Sequence, residues 1–234
     1  PTEACNLNYV FPPAPIASVP IAGSDQRFAV HRIYCIGRNY AEHAKEMGNS
    51  PEKGEPVFFM KPADAVVSDG RDPRFPSATK NLHFEVELVV ALQAGGRDIA
   101  VDDALQCVYA YSIGVDLTRR DLQAAAKAKG NPWDTAKGFD DSAPIAPIVV
   151  SAGRHPSAER IELSVNGVQR QAASIADMLW PVTEIISELS KLYELQPGDL
   201  IFTGTPAGVG PLQPGDRVQC SLDGWCTLEF GFRR

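Results

Sequence analysis

No stretch of this 234-residue sequence approaches the ~18 consecutive apolar residues of a membrane span, so a transmembrane helix is not expected. Basic runs are missing too. Lys and Arg total 22 against 29 Asp and Glu, a net charge of −7, which argues against binding a nucleic-acid backbone. The first residues show no basic-then-apolar leader pattern, and a cytoplasmic protein is expected. There is no Cys-x-x-Cys pair. The cysteines, Cys5, Cys35, Cys107, Cys220 and Cys226, are odd in number and mostly far apart, which points to reduced, mostly buried thiols. A zinc site on Cys220 and Cys226 is disfavoured, because no further Cys/His pair lies nearby. The glycine-rich stretch 202–210 lacks Gly-Lys-Ser/Thr and a following helix, so it is not a phosphate loop. Its amides and Thr205 suit a carboxylate instead.

What is present is an ordinary globular composition, with 44% hydrophobic and 22% charged residues. Residues 1–30 read as an extended N-terminal arm, because proline recurs from Pro12 to Pro20 and blocks helix. Such an arm could dock on or wrap a neighbour. Residues 31–234 read as one domain. Strand patterns fall at 33–36, 57–60, 65–67, 82–92, 108–115, 200–203 and 217–220. Asn166-Gly167 between two β-like runs predicts a hairpin with a type I′ turn. Helices are predicted at 39–47, 118–129 and 181–195. The second has Thr118 and Asp121 as a capping pair and Gly130 as its stop. The third carries a core-packing stripe of Val182, Ile185, Ile186, Leu189, Leu192 and Tyr193. The polar segment 48–56 reads as a mobile loop. Leu-Gln-Pro-Gly-Asp occurs at 195–199 and 212–216, which is reused turn chemistry rather than a duplication. The expected class is mixed α/β (α+β), dominated by short, irregular, mainly antiparallel strands.

The segment richest in chemistry is His83-Phe-Glu-Val-Glu-Leu88. In a strand His83, Glu85 and Glu87 share one face, and the two carboxylates stand about 6.5–7 Å apart at Cα, from the rise of ~3.3 Å per residue. They repel unless they are exposed or bridged by a cation, and a hard divalent ion suits oxygen ligands of this kind. A solvated acidic face is the plain alternative. The apolar run ending in Val115 delivers Asp116 at its tip, where the acid either caps the next helix or completes a three-carboxylate set. His43 and Glu46, three apart on a helix, can form a dyad in which the carboxylate makes the imidazole a better base. They stand just before the 48–56 loop, a suitable lid position. Arg120 and Gln123 share a face of the helix after Asp116 that could look toward the metal, although the residues by themselves favour exposed helix polars. Lys137 is either a surface charge or the counter-charge to a carboxylate cluster. His31 and His155 have no comparable context.

Taken in order, these motifs resemble the fumarylacetoacetate hydrolase family, and within it the small bacterial acylpyruvate and fumarylpyruvate hydrolases. They are Gly37-Arg-Asn-Tyr40 with His43-Ala-Lys-Glu46, Phe59-Met-Lys-Pro62, His83-Phe-Glu-Val-Glu87, Asp116-Leu-Thr-Arg-Arg-Asp121, Lys137 and Thr203-Gly-Thr-Pro-Ala-Gly208. The resemblance runs from about residue 33 onward. It implies a β-roll of the family's C-terminal-domain type, one Mg²⁺ or Mn²⁺ per subunit on Glu85, Glu87 and Asp116, and a His43–Glu46 dyad with Lys137 beside the metal. Arg120, Gln123 and Thr205 resemble substrate contacts, and Gly204 and Lys61 join that set. The implied partners are a small diketo acid and a second copy of the chain in a homodimer. The implied reaction is hydrolysis of a carbon–carbon bond in a 2,4-dioxo acid, fumarylpyruvate giving fumarate and pyruvate. A decarboxylase or keto–enol tautomerase of oxaloacetate-like acids shares the motifs, and a metal-stabilised binding module is the non-enzymatic alternative.

Overall fold

Val86–Leu92 is aliphatic at every position but Glu87, a pattern suited to a strand covered on both faces. The computed structural model describes residues 8–233, so Cys5 and the first seven residues of the expected arm lie outside it. It places this strand inside a six-stranded sheet. The order is Val149–Val150, Val108–Val115, Val86–Leu92, Leu200–Phe202, Ile33–Gly37 and Val57–Lys61. Every neighbouring pair is antiparallel except Leu200–Phe202 with Ile33–Gly37, which is parallel. The fold is therefore mixed and mainly antiparallel, as the strand-rich pattern predicts.

Both faces of this sheet are buried. Val86, Leu88, Val90 and Leu92 enter one core, with Tyr34, Ile36 and the inner face of a four-stranded antiparallel sheet. Val89 and Ala91 enter a second core with Ile33, Cys35, Leu200 and Phe202. Val86, Leu88, Val89, Val90 and Leu92 are all fully buried, each contributing about 1.5–3 kcal/mol of hydrophobic stabilisation. The predicted hairpin is the edge of the four-stranded sheet, Arg160–Val165 with Val168–Ser174, turning at Asn166 and Gly167 with φ of 52° and 77°. The helix Val182–Leu192 buries Val182, Ile185, Ile186 and Leu189, the predicted stripe, while Leu192 is exposed.

Three sequence expectations need correction. The run 82–92 is two strands: Leu82–Phe84 leaves for a three-stranded sheet with Thr118–Arg119 and Gly210–Leu212, and Glu85 stands at the break. Thr118 does not cap a helix, because Leu82 and His83 pair with Arg119 and Thr118 and hold them extended. The helix begins only at Arg120, and its N-cap residue Arg119 makes no side-chain cap. Within the stretch expected as an arm, Ser18–Pro20 and Arg27–Ala29 form a small hairpin, and Val19 and Phe28 are buried in the second core. In the irregular segment 48–56, Lys53 pairs with Glu184 and lies 4.1 Å above the Trp180 ring. Cys35, Cys107 and Cys220 are free and buried, and Cys226 is half-buried. Among the described residues no helix is long and apolar enough to cross a membrane.

Gly114, opposite Glu87 in the ladder, shows how closely this region is packed. A Cβ there would lie 2.7 Å from the Phe202 ring and 3.0 Å from Val89. Gly114→Ala should therefore cost about 1–3 kcal/mol of stability through overpacking, measured by urea unfolding. An unchanged unfolding midpoint would show that the sheet yields there freely.

Candidate active site

The three acids are brought together by strand register. Val86 pairs with Val115 and Glu87 with Gly114, and the amide of Asp116 donates to the Glu85 carbonyl at 2.8 Å. Asp116 is thus Glu85's cross-strand neighbour, and Glu85 and Glu87 share a face by alternation. One oxygen from each carboxylate lies within 4.8 Å of the others. Glu85 is 5% exposed, Glu87 1% and Asp116 0%, so the solvated-face reading of the acidic strand does not hold.

Three cations offset this charge. The Lys137 ammonium donates to Glu85 Oε2 at 2.7 Å, Asp116 Oδ2 at 2.6 Å and Thr118 Oγ1 at 2.7 Å. Arg120 pairs with the other Glu85 oxygen and donates to Gln123 Oε1 at 2.6 Å. Lys61, fully buried, lies 2.8 Å from Asp116 Oδ1 and donates to the carbonyls of Leu117 and Lys137. Burial works against the Glu85 charge, but Lys137 and then Arg120 hold its carboxyl well below the usual range. Burial likewise works against the Lys137 ammonium, and Asp116 and Glu85 overcome it and raise it above its ordinary value. Glu87 is pushed well above the usual carboxyl range by burial and by its neighbours Asp116 and Glu85. Its hydrogen-bond donor is the Gly204 amide at 2.8 Å.

The donor set fits a hard divalent cation. Asp116 Oδ1 is buried without a well-aligned hydrogen-bond donor despite the nearby Lys61 charge. Among the described residues no cation lies within ion-pair distance of Glu87, whose carboxyl stands well above its usual range, and all the converging atoms are oxygens. A divalent ion would satisfy both acids at once.

His43 of the dyad lines the same pocket as Glu85 and Glu87. His43 Nδ1 is 3.1 Å from Glu46 Oε2, and the Gly208 amide donates to Glu46 Oε1 at 3.1 Å, tying the dyad to the glycine-rich loop. His43, Glu85, Glu87, Arg120, Gln123, Lys137 and Thr205 all line one cavity of about 450 Å³. Lys61 and Gly204 do not. Lys61 stands behind Asp116, and the Gly204 amide is taken by Glu87. Gly204 is held at φ 90°, and a Cβ there would meet Asn39 Cβ at 2.7 Å, so the loop can pass this point only as glycine.

A family of sequences described as fumarylacetoacetate (FAA) hydrolase C-terminal matches residues 32–233. The chain belongs to the fumarylacetoacetate hydrolase family. The fumarylpyruvate hydrolase of Pseudomonas aeruginosa, solved with Mn²⁺ and pyruvate, is 46% identical with a TM-score of 0.94, over 96% of this chain and 99% of that one. An oxaloacetate tautomerase of Escherichia coli (strain K12) is 40% identical over 200 residues, 84% of this chain and 90% of that protein. A mitochondrial oxaloacetate tautomerase of Mus musculus is 41% identical over 203 residues, 86% of this chain and 91% of that protein.

Three further residues of the site receive no role from the sequence pattern, Asn39 and His83 standing within its motifs and Gln171 outside them. Gln171, buried on the hairpin, accepts from the Val86 amide at 3.0 Å and donates to Thr205 Oγ1 at 2.8 Å. That leaves the Thr205 hydroxyl hydrogen free for a ligand. Asn39 accepts from the Trp180 amide and donates to the Thr203 and Trp180 carbonyls, locking the chain just before the dyad helix. His83 is kept neutral down to about pH 4 by partial burial and then by Arg120, whose Nε lies 3.4 Å from its Nδ1.

Adding Mn²⁺ to metal-free protein should raise its thermal midpoint, by the equivalent of about 2.7 kcal/mol at a hundredfold excess over Kd. Glu87→Gln, which copies the protonated acid, should leave the metal-free fold intact and remove most of that shift. An equal Mn²⁺ shift in the variant would place the ion elsewhere.

Proposed function

We propose that this enzyme hydrolyses the C3–C4 bond of an acylpyruvate, with fumarylpyruvate as substrate and fumarate and pyruvate as products. The observation that carries the reading is the juxtaposition of a His–Glu dyad with the buried acid–lysine cluster in one cavity. The extent of the likeness to the Pseudomonas aeruginosa fumarylpyruvate hydrolase supports this choice of acyl group.

Glu85, Glu87 and Asp116 would hold the divalent cation. Lewis-acid polarisation of the 2-oxo acid end is what a bound Mg²⁺ or Mn²⁺ supplies there. The remaining work belongs to the chain's own groups. With Nδ1–H donated to Glu46, His43 keeps Nε2 as an acceptor, suited to taking a proton from water. The water oxygen bonds to C4. The C3–C4 bond then breaks, its electron pair stays on C3 as pyruvate enolate, and protonation at C3 gives pyruvate. Lys137 is held as a cation by Asp116 and Glu85, so its part is to stabilise the developing negative charge rather than to act as a base. Arg120, Gln123 and the Thr205 hydroxyl, which line the same cavity, orient the substrate's carboxylate.

Oxaloacetate tautomerisation is the second reading, favoured by the E. coli and mouse relatives. Loss of fumarylpyruvate absorbance, with pyruvate as a product, separates the two. The decay should require Mg²⁺ or Mn²⁺, vanish in Glu85→Ala, and fall in kcat by about 10²–10⁴ in His43→Ala. A folded, metal-loaded protein that leaves fumarylpyruvate intact and interconverts the oxaloacetate tautomers would overturn the hydrolase reading.

A further inference from the structure

The cavity has two ends of different chemistry. Its buried end is the Glu85, Glu87 and Lys137 cluster, and its exposed end carries Arg38 and Lys127. The basic groups at the buried end are spent inward: Arg120 pairs with Glu85, and Lys137 with Glu85 and Asp116. Among the described residues, Arg38 and Lys127 have no carboxylate within ion-pair distance, although they line the same cavity. The same cavity is lined by the apolar side chains of Ile36, Met47, Phe59 and Trp133, with the last two rings 5.9 Å apart. The Lys127 ammonium lies 4.9 Å above the Trp133 ring. Partial desolvation there, followed by repulsion from Arg120 and Arg38, pulls it below its ordinary value. Two like charges kept together at a cavity mouth without a counter-ion are unfavourable until an anion joins them.

The backbone gives a second, independent observation. Arg38 is held at φ 61°, in the left-handed region that a non-glycine residue occupies at a cost of about 1–3 kcal/mol. The neighbouring Asn39 fixes this conformation through its bonds to Trp180 and Thr203. Strain over-determined in this way, at a residue lining a cavity, is the pattern of a group held for a ligand.

We infer that Arg38 and Lys127 form a second anion subsite, which takes a carboxylate at the far end of the substrate. The favoured substrates are then 2-oxo diacids whose two acid groups are separated by a flat apolar spacer lying along Phe59 and Trp133. This rests on the acylpyruvate reading for which end enters first. It adds that the acyl group must itself bear an acid, so acetylpyruvate is the poorer substrate.

The test uses 2-oxoheptanedioate and 2-oxoheptanoate, which differ only in the far carboxylate, as calorimetric ligands for the full chain with Mn²⁺ added. Wild type should bind the diacid about tenfold more tightly, as two partly exposed charge-assisted contacts allow. Arg38→Gln/Lys127→Gln should weaken the diacid alone and bring the two affinities together, with a thermal midpoint no lower than that of wild type. Equal affinities in wild type, no measurable diacid binding, or a matched loss for both ligands in the variant would overturn the subsite. A diacid preference that survives while fumarylpyruvate is not cleaved would leave the subsite standing and sink only the assigned reaction.

Discussion

Three carboxylates on one face of a buried sheet cannot stand without counter-charge, and much of the surrounding structure answers that requirement. Lys137 bridges Glu85 and Asp116, Arg120 takes the other oxygen of Glu85, and Lys61 approaches Asp116 from behind. Glu87 is left to an amide alone. With three acids and three cations the cluster is neutral when fully ionised, yet the pairing is uneven, and the unevenness falls on Glu87 and on one oxygen of Asp116. Those atoms are where a divalent cation has most to contribute.

The same requirement explains the shape of the chain around the site. If the acidic strand ran straight through one sheet, its acids would all face one core. Instead it breaks at Glu85, so Leu82–Phe84 pairs with Thr118–Arg119 in another sheet and brings Thr118 beneath Lys137 and Arg120 beside Glu85. The glycine-rich loop leaving Phe202 closes the other side. Its Gly204 amide reaches Glu87, its Gly208 amide reaches Glu46, and Gln171 on the hairpin ties Thr205 to the start of the central strand. The base and the acid cluster therefore rest on one loop and one sheet, which limits how far they can drift apart.

Much of this was legible in the sequence, and the failures share a cause. Period-two alternation places Glu85 and Glu87 together, and an apolar run ending in one acid places Asp116 at a strand tip. Burial was not legible from alternation, because Val86–Leu92 is covered on both faces and its apolar run does not say what lies over Glu87. At Thr118 a local capping rule loses to pairing with Leu82 and His83, a strand more than thirty residues away. The hairpin within residues 18–29 was hidden by prolines that read as extended chain, and what decides its place is the packing of Val19 and Phe28 in the second core. Lys61 belonged to a family motif, but only the fold shows that it backs Asp116 instead of facing the cavity. Arg38 stands within a family motif and Lys127 within none, and neither receives a role from the sequence, since an unpaired cation looks like any surface charge until the cavity is seen.

The most direct test is anomalous diffraction from crystals grown with Mn²⁺. One strong peak bounded by oxygens of Glu85, Glu87 and Asp116, with the His43–Glu46 pair facing it across the cavity, is the predicted result. A Mn²⁺ peak away from these acids, with Lys137 still bridging Glu85 and Asp116, would contradict it and leave the acid–lysine cluster as internal structure alone.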